Sequence, residues 1–269
     1  MLFIGEDMAR RLEWAEARGG FETAQAMRRF RPEMNASALP FAGGAAVYCG
    51  VGSPLTQALG SGMAGRVTQS EVDEMEEFFR SRASLARVVV CPFADSSLLA
   101  ALNERGYRVV EFENTLARSL EDYEPSISPY PIEVRRVKKD EFDLWGRTLA
   151  RGFAGDEELS SVLIDFGGLM SCYNDAVCFM AVIDAEVIGG ACLIFHDEIA
   201  ALSGAGIVMK YRNRGAQTAL LRARLDFAYA RGSKMAMVST ALGTVSQRNV
   251  ERHGFRTGYT RVAFHREWS

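Results

Sequence analysis

From residue 45 onward, short apolar runs with strand character trade places with stretches in which apolar residues recur at helical spacing. Residues 45–51 read as a strand and 54–59 as a shorter one. Thr68-Gln69-Ser70-Glu71 is a capping-box pattern, so a helix is expected over 69–82 with Val72, Met75, Phe78 and Phe79 on its apolar face. A buried strand at 87–91, a helix at 96–104 and a long strand at 108–118 follow. Ahead of these, Met8, Leu12, Trp14 and Ala15 give a helical stripe within 6–31, which Gly19-Gly20 is expected to interrupt.

The stretch 119–131 holds three prolines and three acids and has no helical period, which marks a linker. Beyond it the pattern predicts a strand at 132–137, helices at 140–153 and 157–166, and strands at 176–183, 187–195 and 199–209. A helix ending near 230, a strand at 235–240, a helix at 246–253 and a strand at 256–266 complete the chain. The expected architecture is mixed α/β, a mostly antiparallel sheet flanked by helices. Its parts are an N-terminal helical segment (1–44), a first domain (45–118), the linker (119–131) and a second domain (132–269).

The halves echo one another at an offset of 148 residues. Leu102-Asn103-Glu104-Arg105-Gly106-Tyr107-Arg108 lies against Val250-Glu251-Arg252-His253-Gly254-Phe255-Arg256, each time between a helix and a long strand. A glycine followed by an aromatic is a helix C-terminus, the glycine taking the left-handed position and the ring packing back. Two such pairs in matching element order point to a duplicated domain.

Composition narrows the class without naming it. Apolar residues are 48% and charged residues 24% of the 269, and the net charge of −3 gives no pull toward nucleic acid or an anionic membrane. The arginines at 10, 11, 28 and 29 read as a solvated helix face. The five cysteines (Cys49, Cys91, Cys172, Cys178, Cys192) form no CxxC pair and accompany only three histidines, which predicts free buried thiols and no metal site. The start of the chain meets charge too early for a signal peptide, and no apolar run is long enough to span a bilayer. A cytoplasmic protein, monomeric or homodimeric, is expected.

One stretch carries chemistry: Arg212-Asn213-Arg214-Gly215-Ala216-Gln217-Thr218, between the strand at 199–209 and the helix that follows. The first N–H groups of a helix lack internal partners and favour an anion, small residues let it approach, and arginines add charge. The equivalent place in the first half, Arg66-Val67-Thr68, has a capped helix start and no such cradle.

With strand, Arg-x-x-Gly turn, helix, strand, helix and Gly-Phe in order, the second half resembles the GNAT superfamily of acyl-CoA N-acyltransferases. The first half resembles a degenerate copy, giving two GNAT-like domains in tandem. The family motif is Arg/Gln-x-x-Gly-x-Gly/Ala; Arg212 and Gly215 match, and Gln217 departs from the third small position. The resemblance implies acetyl-CoA as acyl donor and a small-molecule or peptide amine as acceptor. It places backbone groups of Ile207, Val208 and Met209 on the pantetheine arm and Arg212, Arg214, Gly215, Ala216, Gln217 and Thr218 around the pyrophosphate. Ser246 and Asn249 would lie near the thioester, although Ser246 alternatively caps its own helix.

The proton-transfer groups are less clear. The strand position where some relatives carry a glutamate falls near Ala201, and Glu198, three residues away, reads as a surface acid. No tyrosine occurs between 246 and 253. Tyr259 is the candidate acid, with a packing role for its ring as the alternative. Asp156, Glu157 and Glu158 could draw a cationic amine or simply form a solvated loop. A catalytically silent acyl-CoA sensor or interaction module is the competing reading.

Overall fold

The computed structural model describes residues 3–125, 130–154 and 161–268. They group into two compact units, one of Met1–Ala117 with Ser239–Ser269 and the other of Arg118–Val238.

The first unit opens with α1 (Glu6–Phe30), a single helix of 25 residues. Gly19-Gly20 does not interrupt it. A Cβ on Gly20 would come within 2.7 Å of a Val47 methyl, so the glycine permits close packing of the helix on the sheet. Strands β1 (Ser37–Phe41), β2 (Gly44–Tyr48) and β3 (Gln57–Leu59) follow. β1 was not anticipated, because its one well-buried residue, Phe41, leaves no apolar run to read.

Helix α2 (Gln69–Arg80) begins at the expected capping box. Thr68 Oγ1 accepts from the Glu71 N–H at 3.3 Å, and the Glu71 carboxylate accepts from the Thr68 N–H at 2.8 Å. Val72, Met75, Phe78 and Phe79 are buried with residues of β4 (Ala86–Val90) and α3 (Ser96–Glu104). β5 (Arg108–Ser119) runs across the unit boundary.

The second unit contains β6 (Glu133–Arg136), α4 (Phe142–Ala154), α5 (Ser161–Ser171), β7 (Ala176–Ile183), β8 (Glu186–His196), β9 (Ile199–Ile207) and α6 (Ala216–Ala230). β10 (Met235–Ala241) starts there. The strand order is β10-β9-β8-β7-β6, antiparallel except for β9 with β10. Trp145, Leu149, Ile188, Leu193, Leu220 and Leu221 are fully buried in it. The expected linker is partly built in: Leu120 and Tyr123 are buried, and the Tyr123 hydroxyl donates to Asp226 on α6.

The chain then completes the first unit with α7 (Val245–Arg252) and β11 (Arg256–Arg266). β11 lies antiparallel to β4 on one side and β5 on the other, giving the order β1-β2-β3-β4-β11-β5. This differs from the expected second domain of 132–269, and the reason is strand pairing: the ladder partners of β11 are Ala86–Val90 and residues of β5. The expected echo is matched in detail. Gly106 and Gly254 both have positive φ, and Tyr107 and Phe255 donate their N–H to Leu102 and Val250 respectively, five residues back.

Candidate functional site

The turn between β9 and α6 is held from below by a close helix–strand approach. A Cβ on Gly152 of α4 would lie 2.7 Å from the Gly206 carbonyl carbon of β9, so only glycine allows the contact. That approach brings the Gly152 carbonyl to the turn, where Arg212 Nη2 donates to it at 2.7 Å. Arg212 Nε donates to the Ile207 carbonyl at 3.3 Å. Arg212 thus ties the end of α4, the end of β9 and the turn together.

A short 3-10 turn, Met209–Tyr211, links β9 to Arg212. It uses groups that the resemblance assigned to pantetheine. The Val208 N–H donates to the Ile188 carbonyl at 2.9 Å, and the carbonyls of Val208 and Met209 accept from Tyr211 and Arg212. With the Ile207 carbonyl taken by Arg212, much of the backbone of 207–209 is satisfied internally. The open edge lies earlier in β9. Its register with β10 runs only from Ile199↔Met235 to Ala201↔Met237, whereas β9 continues to Ile207.

On its other edge β9 bulges. Two residues, Gly204 and Ala205, stand against the single Ala191 between the pairs Gly190↔Gly206 and Cys192↔Ser203, with Gly204 at φ 45°. A bulge leaves an unpaired residue and turns the strand. The local sequence signal for it is the glycine-rich run Ser203-Gly204-Ala205-Gly206.

Gly215 is the N-cap of α6, at φ 87°, and no side chain caps the helix. The N–H groups of its first turn therefore lack both intrahelical and capping partners, the arrangement that receives an anion. Arg214 lies exposed, its guanidinium 5.4 Å from the Tyr211 ring centroid. Lys210 is paired with Glu186 at 2.9 Å, and the Tyr211 hydroxyl donates to the same carboxylate, so these contacts hold Glu186 below the usual carboxylate range. Arg212 and Arg214 have no carboxylate partner among the described residues. Ala216 is buried, while Gln217 and Thr218 are half-buried in the first turn. The Tyr130 ring lies over Gly215, so close that a Cβ there would reach 2.3 Å from the ring.

The remaining predicted residues fall in the other unit. Ser246 is exposed and Asn249 half-buried on α7. The cap of that helix is Thr244, whose hydroxyl accepts from the Gln247 N–H at 3.2 Å, so Ser246 is not the cap. Tyr259 is buried on β11, with its hydroxyl donating to Glu13 at 2.7 Å and its ring edge-on to Phe93. Burial and the neighbouring carboxylate push this phenol up, and its proton is committed to Glu13, so it corresponds to the packing alternative rather than to a free acid. Glu198 pairs with Lys234 at the opposite end of β9 from the turn. Asp156, Glu157 and Glu158 lie outside the described residues.

Cys49, Cys91, Cys178 and Cys192 are buried thiols, and Cys172 is half-buried. Among the described residues no group of His, Cys, Asp and Glu could hold a metal ion, and no helix is long and apolar enough to cross a membrane.

Residues 145–255 match the family model described as Acetyltransferase (GNAT) family. Over that stretch the chain is similar to the GNAT acetyltransferases. A GCN5-related N-acetyltransferase from Kribbella flavida is similar over 94% of this chain and 96% of its own, with a TM-score of 0.66 at 15% identity. A tandem GNAT protein from the clavulanic acid biosynthesis pathway is similar over 97% and 94%, with a TM-score of 0.61 at 14% identity. A GCN5-related N-acetyltransferase from Sphaerobacter thermophilus covers 74% of this chain and 67% of its own, with a TM-score of 0.56 at 18% identity. No curated protein matches the chain. At these identities the structural matches establish the shared fold.

Proposed function

We propose that this protein transfers an acetyl or short acyl group from acyl-CoA to a primary amine, by direct transfer in a ternary complex. The observation that carries the reading is the continuity of β9 with α6: a strand edge that leaves its β10 partner after Ala201 runs through an arginine-bearing turn into an uncapped helix start. An unpaired strand edge offers N–H and C=O groups to a peptide-like arm such as pantetheine. The first turn of α6 then takes the pyrophosphate, with Gly215, Ala216, Gln217 and Thr218 supplying N–H groups and Arg214 the charge.

Arg212 has a different role in this reading. Its bonds to Gly152 and Ile207 make it a positioning residue for the turn. The Tyr130 ring over Gly215 must yield or slide for a phosphate to reach that end of the helix.

Direct transfer needs a neutral amine placed against the thioester and a proton for the departing thiolate. No acid stands on β9 between Ala200 and Ile207, and the Tyr259 proton is held by Glu13. Transfer would then rest on positioning, with solvent exchanging the protons. The same two facts favour the second reading, an acyl-CoA-binding sensor without turnover. Calorimetric titration with acetyl-CoA, followed by a thiol-release assay over a panel of primary amines, tests both. Binding with turnover supports the enzyme, binding without turnover on the panel supports the sensor, and absence of binding removes both.

A further inference from the structure

The second unit holds two cysteines that face each other across its sheet. In the ladder of β7 with β8, Cys178 and Cys192 are direct register partners, so their side chains leave the same face. The backbone bonds around them fix what kind of pair this is. The Phe195 N–H donates to the Asp175 carbonyl at 3.1 Å, and bonded positions alternate with unbonded ones along an antiparallel ladder. Three steps further in, Cys178 and Cys192 therefore exchange no backbone bonds. Their carbonyls point away from each other accordingly: Cys178 accepts from the Val137 N–H at 2.9 Å, and Cys192 accepts from Arg224 Nη1 at 3.3 Å. An unbonded pair of this kind has its Cα atoms about 4.5 Å apart, inside the span of about 4.4–6.8 Å that a disulfide bridges. The two thiols already share a hydrogen bond.

Arg224 adds an independent feature. It is 3% exposed on α6, its bonds go to the carbonyls of Leu220 and Cys192, and it has no carboxylate partner among the described residues. A buried guanidinium without a counter-charge favours an anion beside it. The bond from Cys178, and then this guanidinium, draw the Cys192 thiol below its ordinary range against the effect of burial. The same bond pushes Cys178 up, so one sulfur gains thiolate character while the other keeps its proton. Neither sulfur has a part in the proposed acyl transfer.

Access comes from the start of β7. Cys178 is 4% exposed and lies two residues in from Ala176, and Ala176 and Val177 are only half-buried. Opening that strand end uncovers the pair without unfolding the unit. We infer that Cys178 and Cys192 are a reversible redox pair that closes to an intramolecular disulfide when a hydroperoxide reaches them. The Cys192 thiolate attacks a peroxide oxygen and the O–O bond breaks, leaving Cys192 as sulfenic acid and releasing hydroxide, which takes up a proton. The Cys178 sulfur then displaces the hydroxyl as water, and the S–S bond forms. Two thiols and one hydrogen peroxide become one disulfide and two waters, the sulfurs losing the two electrons that the peroxide gains. The product needs no added space, because bridging only removes two hydrogens from the core.

The test uses the folded full chain carrying Cys172→Ser, which removes the half-buried thiol and its cross-links between molecules. It needs no acyl-CoA, so it is independent of the donor reading. Under dilute hydrogen peroxide the protein is expected to lose two of its four remaining thiols and two hydrogens in intact mass. Digestion should then yield a peptide pair linked through Cys178 and Cys192, and dithiothreitol should restore both thiols. The pair is expected to react about tenfold faster than Cys49 and Cys91. Cys178→Ser in the same background should abolish the linked pair and leave Cys192 as a sulfenic acid that dimedone traps. If that variant does not fold, Cys178→Ala takes its place with the same expectation. A linked pair that forms only in urea, a bridge between other cysteines, equal oxidation of all four thiols, or no loss of thiols in the folded chain overturns the inference.

Discussion

Two helix starts occupy corresponding places in the two halves of this chain and are finished in opposite ways. At α2, Thr68 and Glu71 satisfy each other's backbone N–H groups, and the start of the helix is closed by its own side chains. At α6, Gly215 supplies a left-handed turn and no cap, and two arginines that have no carboxylate partner among the described residues stand beside it. The same element is therefore closed by its own side chains in one half and left uncapped in the other, where the proposed function puts the anion. The difference lies in a few residues: a threonine and a glutamate against a glycine, an alanine and an arginine. It also indicates which half holds the acyl donor in the proposed function.

The sharpest way to break the comparison is to put an acid at the open start. Gly215→Glu is expected to weaken acetyl-CoA by about 100-fold or more, since it sets a carboxylate against the pyrophosphate. The substitution also carries strain, because Gly215 is at φ 87° and a Cβ would strike Tyr130. The cost in stability should be about 1–2 kcal/mol. Gly215→Ala shares that strain without the charge, so the difference in calorimetric affinity between the two variants isolates the electrostatic part. Equal affinities would remove the anion site.

Arg214→Glu comes next, with an expected loss of about 30-fold in acetyl-CoA affinity and no change in melting temperature, as the side chain is exposed. Thr68→Ala sharpens the other side. Removing the α2 cap should cost about 1 kcal/mol in chemical denaturation and leave acetyl-CoA affinity untouched. A parallel loss of affinity would mean that the two starts are not functionally distinct.

The smallest effect is on pH dependence. The bonds from Thr68 hold the Glu71 carboxyl below its ordinary value of 4.5. The stability this lends is complete above that value and fades as pH falls through the lower folded value. Thr68→Val removes the hydroxyl bond and keeps the backbone one, so it should lower the neutral plateau, partly flatten the acid limb and converge with the intact chain at the acid end, as followed by denaturant midpoints from pH 6 down to about 3.

Local signals in the sequence carried most of the fold. The helix at 96–104 and the strands at 176–183 and 256–266 match α3, β7 and β11 in extent, because their ends are set by turn residues and caps within a few positions. The Gly-aromatic ends of α3 and α7 were legible for the same reason. What could not be read was partnership. The apolar pattern of 256–266 predicts a strand but does not say that it joins β4 and β5. Gly19-Gly20 reads as a break until Val47 is seen against Gly20.

The candidate site divides in the same way. Gly215 and the arginines were visible as a motif, since helix starts have local requirements. The capture of Arg212 by the Gly152 carbonyl, 60 residues away, was not. Nor was the link from Tyr259 to Glu13, which spans 246 residues and turns a candidate acid into part of a buried network. Both depend on contacts that no local pattern encodes.

Calorimetric titration of acetyl-CoA into the intact chain and into Arg214→Glu tests the central claim most directly. Saturable one-site binding by the intact chain, weakened about 30-fold in the variant at equal melting temperature, is the predicted result. The same affinity in both proteins, or no binding to the intact chain, would contradict the assignment of the α6 start as the acyl-CoA cradle.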